Sequence, residues 1–463
     1  MNDPSRKLII LSSHVPVGAT EPAGLASALE PALRDLPGIW LGWSGQVRIS
    51  PTELAIDPTL QPPRACFDLL ADSRDQLAFA FCNRTLWPLF HGLRTRLRFD
   101  DAEWDAYVRA NDTYARHALQ LADLDATIWV HDYQLLLVGA SLRRLGHRGP
   151  IGHFLHIPFP VRELFQTLPW GRELLEAVLD FDLIGFHTEQ WADNFVTCTR
   201  ELRRTSHKPG RIRHNQRTTR IGVFPRSVEP ASDLDVDLGL DAMPDHDLGE
   251  RIGDRHFMIA VDPLDQTKGI PERLAAFRCL LERYPEWRRR VVLLQIVVPA
   301  HPEHDDRELR QDLERRIGQL NNSLGEADWM PVCYLDRNCD RVSLTRLYRA
   351  ADVAIVTPLR DGMNLVAKEF VAAQHASDPG VLVLSRFAGA AEQMAAAILT
   401  NPYHPEGFAQ DLHRALGMPQ EERRHRHHAL AKVLRANGTP ASWSDDFLSA
   451  LRHPPGDDPV TVA

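Results

Sequence analysis

The sequence lacks a basic excess: 53 lysine and arginine side chains stand against 62 acidic ones, a formal net charge of −9 at pH 7. A surface that tracks phosphate backbones usually carries the opposite imbalance, so nucleic acid is excluded as the main partner, though a local basic pocket is not. No apolar run approaches the roughly 20 residues that cross a bilayer, which excludes a membrane partner. Cysteine is sparse. Cys66, Cys82, Cys198, Cys279, Cys333 and Cys339 include no CxxC pair, which excludes a disulfide scaffold and argues against a zinc ribbon or redox motif. The opening MNDPSRKLIIL has an apolar run too short for a signal peptide, so a reduced, cytoplasmic protein is expected. Lysine itself is rare, five of the 53 basic residues, a bias of the kind a GC-rich genome produces.

What is there is a chain of 463 residues, 44% hydrophobic and 25% charged, long enough for two domains. Short apolar runs recur. One series is KLIIL at 7–11, TIWV at 127–130, IGHFL at 151–155, DLIGF at 182–186 and RIGVF at 220–224. A second is FMIAV at 257–261, VVLLQIV at 291–297, DVAIV at 352–356 and VLVL at 381–384. Runs apolar on both faces suit strands buried between helix layers. Amphipathic stretches such as Pro271 to Tyr284 and Arg307 to Leu324 lie between them. The alternation predicts an α/β fold of two Rossmann-like domains, with sites at the carboxyl ends of the strands. The boundaries expected are 1–230 for the first domain, 231–251 for an Asp- and Pro-rich linker, and 252–440 for the second, with 441–463 as a last helix and frayed tail.

The segment richest in chemistry is TPLRDGMNLVAKE, Thr357 to Glu369. It follows the strand DVAIV and opens a helical pattern. Gly362 permits a tight turn and Asn364 is placed to cap a helix beginning near Leu365. Free N–H groups at such a helix start suit a diphosphate. Glu369, one turn on, is spaced to accept hydrogen bonds from a ribose. A merely solvated loop is the alternative that spacing leaves open. The run RRHRHH at 423–428 reads as a solvated helix face, with no reason to assign a metal. His131, His153 and His187 stand close to the strand ends that matter, with side chains free to alternate away.

TPLRDGMNLVAKE resembles the nucleotide-sugar segment of the trehalose-6-phosphate synthase family, and the rest of the chain agrees in order. WLGWSG at 40–45, LWPLFH at 86–91, VHDYQL at 130–135, FLHIPFP at 154–160, LDQTKGIPER at 264–273 and GVLVLSRFAGAAEQM at 380–394 resemble successive elements of that family. The resemblance implies the GT-B architecture, two Rossmann-like domains facing a central cleft, and retaining glycosyl transfer without a metal or other cofactor. The co-substrate would be a nucleoside diphosphate sugar, and the partner a small polar acceptor; a homo-oligomer stays open. Where residues match, the family's roles carry over. Asp361 would hold hydroxyls of the donor sugar, and Met363, Asn364, Leu365 and Val366 would offer backbone groups to the sugar and diphosphate. Glu369 would bind ribose, Lys268 the departing diphosphate, and Gly24 the close backbone approach in the N-terminal phosphate loop. His156 would contact the donor sugar near the reacting carbon, Asp132 acceptor hydroxyls, and Trp87 would line the acceptor pocket.

Departures cluster at the acceptor phosphate. Where the family has arginine, tyrosine and arginine, this chain has His14, Ala78 and His301. Arginine's planar, permanently charged fork suits phosphate, and an imidazole matches it only when protonated. On the donor side, the arginine that partners the diphosphate lysine is Pro263, and Arg226 stands where it is either a substitute or a solvated loop residue. These changes lead to the expectation of a hexosyltransferase whose acceptor is an unphosphorylated sugar, polyol or aminocyclitol, in a setting such as antibiotic assembly. A pseudo-glycosyltransferase of the validoxylamine-phosphate type and ordinary trehalose-6-phosphate synthesis are the alternatives, and a catalytically silent sugar-nucleotide binder is the alternative from another class.

Overall fold

Every apolar run singled out above forms a strand, buried in all but the half-buried RIGVF, because a segment apolar on both faces is satisfied only between two covering layers. The computed structural model describes residues 7–16, 24–48, 54–70, 76–229, 249, 252–298 and 307–453. They divide into two units, Met1–Pro225 with Pro440–Ala463, and Arg226–Thr439. The expected linker at 231–251 lies outside the described residues apart from Gly249, and so does the tail beyond residue 453.

The first unit contains β1 (Leu8–His14), β2 (Ile39–Arg48), β3 (Ala55–Asp57), β4 (Arg64–Leu70), β5 (Thr127–His131), β6 (Ile151–Phe154), β7 (Leu183–Phe186), β8 (Thr205–Lys208), β9 (Arg211–His214) and β10 (Arg217–Val223). They make one sheet in the order β3-β4-β2-β1-β5-β6-β7-β10-β9-β8. From β4 to β10 all pairings are parallel; β3 at one edge and the β8–β9 hairpin at the other are antiparallel. The half-exposed edge strands escaped the sequence reading because they carry no apolar run: TSHK and RIRH alternate polar side chains on the solvent side.

In the second unit β11 (His256–Pro263), β12 (Val291–Val298), β13 (Val332–Asp336), β14 (Val353–Val356), β15 (Val381–Ser385) and β16 (Ile398–Thr400) form a wholly parallel sheet ordered β13-β12-β11-β14-β15-β16. The amphipathic stretches are its helices: Ile270–Arg283 turns Leu274, Phe277 and Leu281 inward, and Arg307–Leu324 turns Leu313, Ile317 and Leu320 inward. Both show the i, i+3, i+4 and i+7 spacing of a one-sided apolar stripe.

The last helix, Pro440–Arg452, belongs with the first sheet. Trp443, Phe447, Leu448 and Leu451 share a core with Ile10, Trp40, Trp129 and Phe154. Trp443 Nε1 donates to Phe224 O at 3.1 Å and Ser444 Oγ to Ala32 O at 2.6 Å. Two glycines make room: a Cβ on Gly152 or on Gly185 would stand 2.8 Å from the Phe447 ring. The sheet is therefore shaped to receive this ring. Phe447→Ala is expected to cost about 3–5 kcal/mol of unfolding free energy in urea denaturation. A loss below about 1 kcal/mol would show that the helix is dispensable to the first unit.

Candidate active site

In a parallel sheet the chain leaves a crevice where consecutive connections depart in opposite directions, and polar ligands collect there at the carboxyl ends of the strands. In the first unit that point lies between β1 and β5. His14 is the last residue of β1, and Asp132 follows β5. Asp132 has φ 70° and ψ 174°, a conformation that a side chain rarely tolerates. Hydrogen bonds hold it there: its N–H donates to Phe154 O at 2.8 Å and its Oδ1 accepts from His156 N–H at 3.1 Å. Burial pushes the Asp132 carboxyl up to about 7, against the N–H groups of His156 and Tyr133 that draw it down. His156, two residues beyond β6, sits with its Nε2 3.1 Å from Nδ1 of His131.

The His14 ring packs against Trp43 and Phe79, with centroids 4.6 and 5.6 Å away. Ala78 is buried on the helix Gln76–Phe81. Trp87 opens a helix directly after a π-helical turn, Cys82–Leu86, an irregularity that often marks functional positions. Its ring lies on His91 and near Tyr133, and its Nε1 is buried without a hydrogen-bond partner among the described residues. A buried donor left without a partner is uncommon and suits a substrate oxygen.

In the second unit the corresponding point lies between β11 and β14. Lys268 ends a short 3-10 turn after β11, and Asp361 follows β14. Nζ of Lys268 and Oδ2 of Asp361 are 2.6 Å apart. Burial works to lower the Lys268 pKa, but the carboxylates of Asp361, Asp265 and Asp262 outweigh it and hold it above the ordinary lysine value. Gly269 has φ 65°, and a Cβ there would lie 2.4 Å from Thr357 O, so only glycine lets the two strand-end loops meet. Leu359 N–H donates to Thr267 O across the same seam, at 2.6 Å. Asn364 Nδ2 donates to Asp361 Oδ2 at 3.2 Å, while Asn364 Oδ1 is buried without a partner among the described residues.

The helix after this loop begins at Leu365 as expected, with Leu365 and Val366 in its first turn and Met363 buried before it. Asn364 does not cap it. At φ 72° its side chain is turned back to Asp361 and makes no bond to the helix N–H groups, a correction to the sequence reading. Glu369 keeps an accessible carboxyl set among many protein atoms; lost hydration raises its pKa, opposed by Arg341 and Arg226. Arg226 is not the solvated loop residue of one reading: its side chain is buried, and burial lowers its pKa to about 10, with Glu369 acting against the shift. Gly24 is the first residue of the helix Gly24–Leu33. His301 lies outside the described residues. The run RRHRHH is only partly a solvated face: His427 is buried with Nε2 3.3 Å from Val371 O, and Arg426 donates to Ala396 O at 2.8 Å. Among the described residues no group of three or more His, Cys, Asp or Glu is placed to hold a metal ion, and no helix is long and apolar enough to cross a membrane.

Sequence reasoning gave no role to Arg273, which has no solvent contact. Its Nη1 lies 2.5 Å from Asp262 Oδ2 and 2.7 Å from Gln295 Oε1, its Nε donates to Thr357 Oγ1 at 3.1 Å, and Nη2 reaches the carbonyl of Lys268 at 3.4 Å. One guanidinium thus ties β11, β12, the end of β14 and the lysine turn. The signal was legible: Arg273 falls on the apolar stripe of its helix beside Ile270, Leu274 and Phe277, where a charge demands a buried acid. Lys368 was likewise passed over. It is buried, donates to Arg226 O at 2.5 Å and to Gln393 Oε1 at 3.0 Å, and burial, helped by Arg226, lowers its pKa to about 7.

Comparison with known proteins agrees with this arrangement. The model of glycosyltransferase family 20 matches residues 12–453. The trehalose-6-phosphate synthase of Cronobacter sakazakii is 38% identical over 431 residues, 93% of this chain and 91% of that protein. The Escherichia coli trehalose-6-phosphate synthase is 36% identical over 452 residues, 96% of this chain and 95% of that one. Among solved structures, the α,α-trehalose-phosphate synthase (UDP-forming) of Burkholderia xenovorans in complex with glucose-6-phosphate matches with a TM-score of 0.90 at 38% identity, covering 96% of this chain and all of that one. The E. coli protein bound with UDP-2-fluoro glucose matches at 0.89 and 36% identity, covering 96% and 99%. The fold class expected from the resemblance, GT-B, is borne out by these likenesses.

The raised Asp132 pKa makes a prediction with a definite sign. An unfolded aspartate titrates near 4, and the folded one at about 7. The stability given by the protonated form is complete below about pH 4 and is lost as pH rises through about 7. Asp132→Asn, which cannot ionise and keeps an acceptor for His156 N–H, should equal the parent near pH 4. It should exceed the parent at about pH 8 by on the order of 2–4 kcal/mol. Urea midpoints at the two pH values check this, and parallel stability curves would contradict it.

Proposed function

We propose a retaining transfer of glucose onto a sugar phosphate, and the premise is plain: the chain belongs to glycosyltransferase family 20 and is a glycosyltransferase. The donor is UDP-glucose, the acceptor glucose 6-phosphate and the product trehalose 6-phosphate. This reverses the order of preference read from the sequence, where an unphosphorylated acceptor led. What supports it is that relatives named for this synthesis match along almost the whole chain, whereas an antibiotic setting has no support among them.

The observation that carries the reading is the meeting of Lys268, Asp361 and Asn364 at the switch point of the second sheet. Lys268 takes the diphosphate, where its charge gains as the leaving group's charge develops. Asp361 and Oδ1 of Asn364, which has no partner among the described residues, take hydroxyls of the glucose. Backbone groups of Met363, Leu365 and Val366 line the sugar and diphosphate, Gly24 approaches the donor, and Glu369 takes the ribose. In the first unit Asp132, strained and held by the β6 end, takes an acceptor hydroxyl, Trp87 offers its indole N–H, and His156 stands at the reacting carbon. No cofactor enters this scheme.

One observation favours a second reading, an acceptor without the phosphate. His14 is wedged between aromatic rings and Ala78 brings no hydroxyl, so neither of these two positions offers the planar cationic fork that phosphate prefers. A competition decides. With UDP-glucose and equal glucose and glucose 6-phosphate, the product mass is expected to be that of a disaccharide monophosphate. Loss of two arginine contacts of roughly 1.5–3 kcal/mol each would instead weaken glucose 6-phosphate at least a hundredfold, and free disaccharide would dominate. That outcome would overturn the first reading in favour of the second; an intact donor after long incubation would overturn both.

A further inference from the structure

The helix Leu365–Ala373 starts without a side-chain cap, since Asn364 turns back to Asp361. The N–H groups of its first turn therefore have no acceptor within the helix and none from a capping residue. A start of this kind has to be held from elsewhere. Lys368, one turn in, is wholly buried. Its Nζ donates to Arg226 O at 2.5 Å and to Gln393 Oε1 at 3.0 Å. Protonated or neutral, a lysine amine has at least two N–H groups, so it serves both acceptors in either state.

Gln393 follows the short 3-10 turn Gly389–Glu392. That turn is bonded to the loop ahead of the helix: Gly389 N–H donates to Asp361 O at 3.1 Å and Ala390 N–H to Met363 O at 2.8 Å. The bond from Lys368 to Gln393 thus closes a ring that runs from loop to helix to lysine to turn and back to the loop. Gln393 is held in its turn by two side-chain bonds with Asn437, at 3.3 and 2.9 Å. Arg226 and Asn437 stand near the two ends of the second unit, which runs from Arg226 to Thr439.

We propose that Lys368 is a positioning residue for the donor segment: by tying the helix to the turn behind Asp361 and to both ends of its unit, it fixes where the first-turn N–H groups and the neighbouring Glu369 stand. Lys368 itself touches no reacting atom. The effect on ligand affinity rests on the donor site given above; the anchoring of the helix does not.

The test compares the full chain with Lys368→Met, which keeps an unbranched side chain of similar length and removes both bonds. In the ligand-free proteins, the helix amides of residues 369–373 should exchange hydrogen about fivefold faster or more in the variant, because the helix start is no longer held. By calorimetry, at a temperature where both proteins are folded, UDP should bind the variant roughly three- to thirtyfold more weakly. A lysine that is structural only would lower the unfolding midpoint and leave the affinity of the folded protein where it was. Gln393→Leu removes one of the two bonds and leaves the lysine, so it should weaken UDP in the same direction by less. It serves in place of Lys368→Met if that protein does not fold. Unchanged exchange at 369–373 would overturn the proposal, and so would faster exchange with unaltered UDP affinity. A parent that does not bind UDP would sink the donor reading, and the exchange result would still decide whether Lys368 anchors the helix.

Discussion

The second unit depends on a guanidinium that has no contact with water. Arg273 and Asp262 neutralise one another inside the sheet, with Gln295 and Thr357 satisfying the remaining polar atoms. Such a pair gives little net stability by itself, but removing one partner strands a buried charge at a cost of about 3–5 kcal/mol. The geometry is therefore not negotiable. The ends of β11 and β14 are held at one separation, Gly269 can lie against Thr357, and the turn carrying Lys268 faces the loop carrying Asp361. Two charged side chains that would otherwise disperse into solvent are presented together, before any ligand arrives.

The first unit reaches a similar end by a different route. It carries a strained residue, Asp132, whose backbone is fixed by Phe154 and whose carboxylate is fixed by His156. A carboxyl titrating near neutrality and an indole N–H with no partner among the described residues are both uncomfortable in a folded chain, and both become useful when a polyhydroxylated molecule supplies the missing bonds. The final helix stands behind this point, with Trp443 touching the His156 ring and Phe447 filling the space left by Gly152 and Gly185. Stability of the unit and placement of the site are thus one packing problem.

Much of this was legible in the residues. Eight of the nine apolar runs marked buried strands, because parallel strands covered on both faces cannot hide their composition; the ninth, RIGVF, is half-buried. The segment from Thr357 to Glu369 announced a strand-to-helix turn, and the structure has one there. What was not legible depended on three dimensions. Edge strands such as β8 and β9 carry mixed polar sequences that read as loop. Asn364 has the composition of a cap, but a left-handed backbone turns its side chain elsewhere. The last helix gives no sign in its own sequence of which sheet it serves. Arg226 looked equally suited to solvent and to burial, since an arginine in a loop declares neither. Lysine offered a clue that went unread. In a chain with five lysines, two lie around the segment Thr357 to Glu369, Lys268 half-buried and Lys368 fully buried, where arginine's larger fork would not replace a single ammonium.

Under the proposed function, Lys268 and Asp361, paired in the structure, part when a nucleoside diphosphate sugar binds, the lysine turning to the diphosphate and the aspartate to the sugar. Calorimetric titration of the parent and of Asp361→Asn with UDP and with UDP-glucose tests this most directly. UDP has the diphosphate and no sugar, so freeing Lys268 should tighten its binding, by roughly three- to tenfold for one charge-assisted bond no longer competed for. UDP-glucose should show no such gain, because the bonds from Asp361 to the sugar hydroxyls are lost together with the competition. UDP binding more weakly to Asp361→Asn than to the parent would contradict the account, since Asp361 would then hold the lysine in place for the diphosphate instead of competing with it.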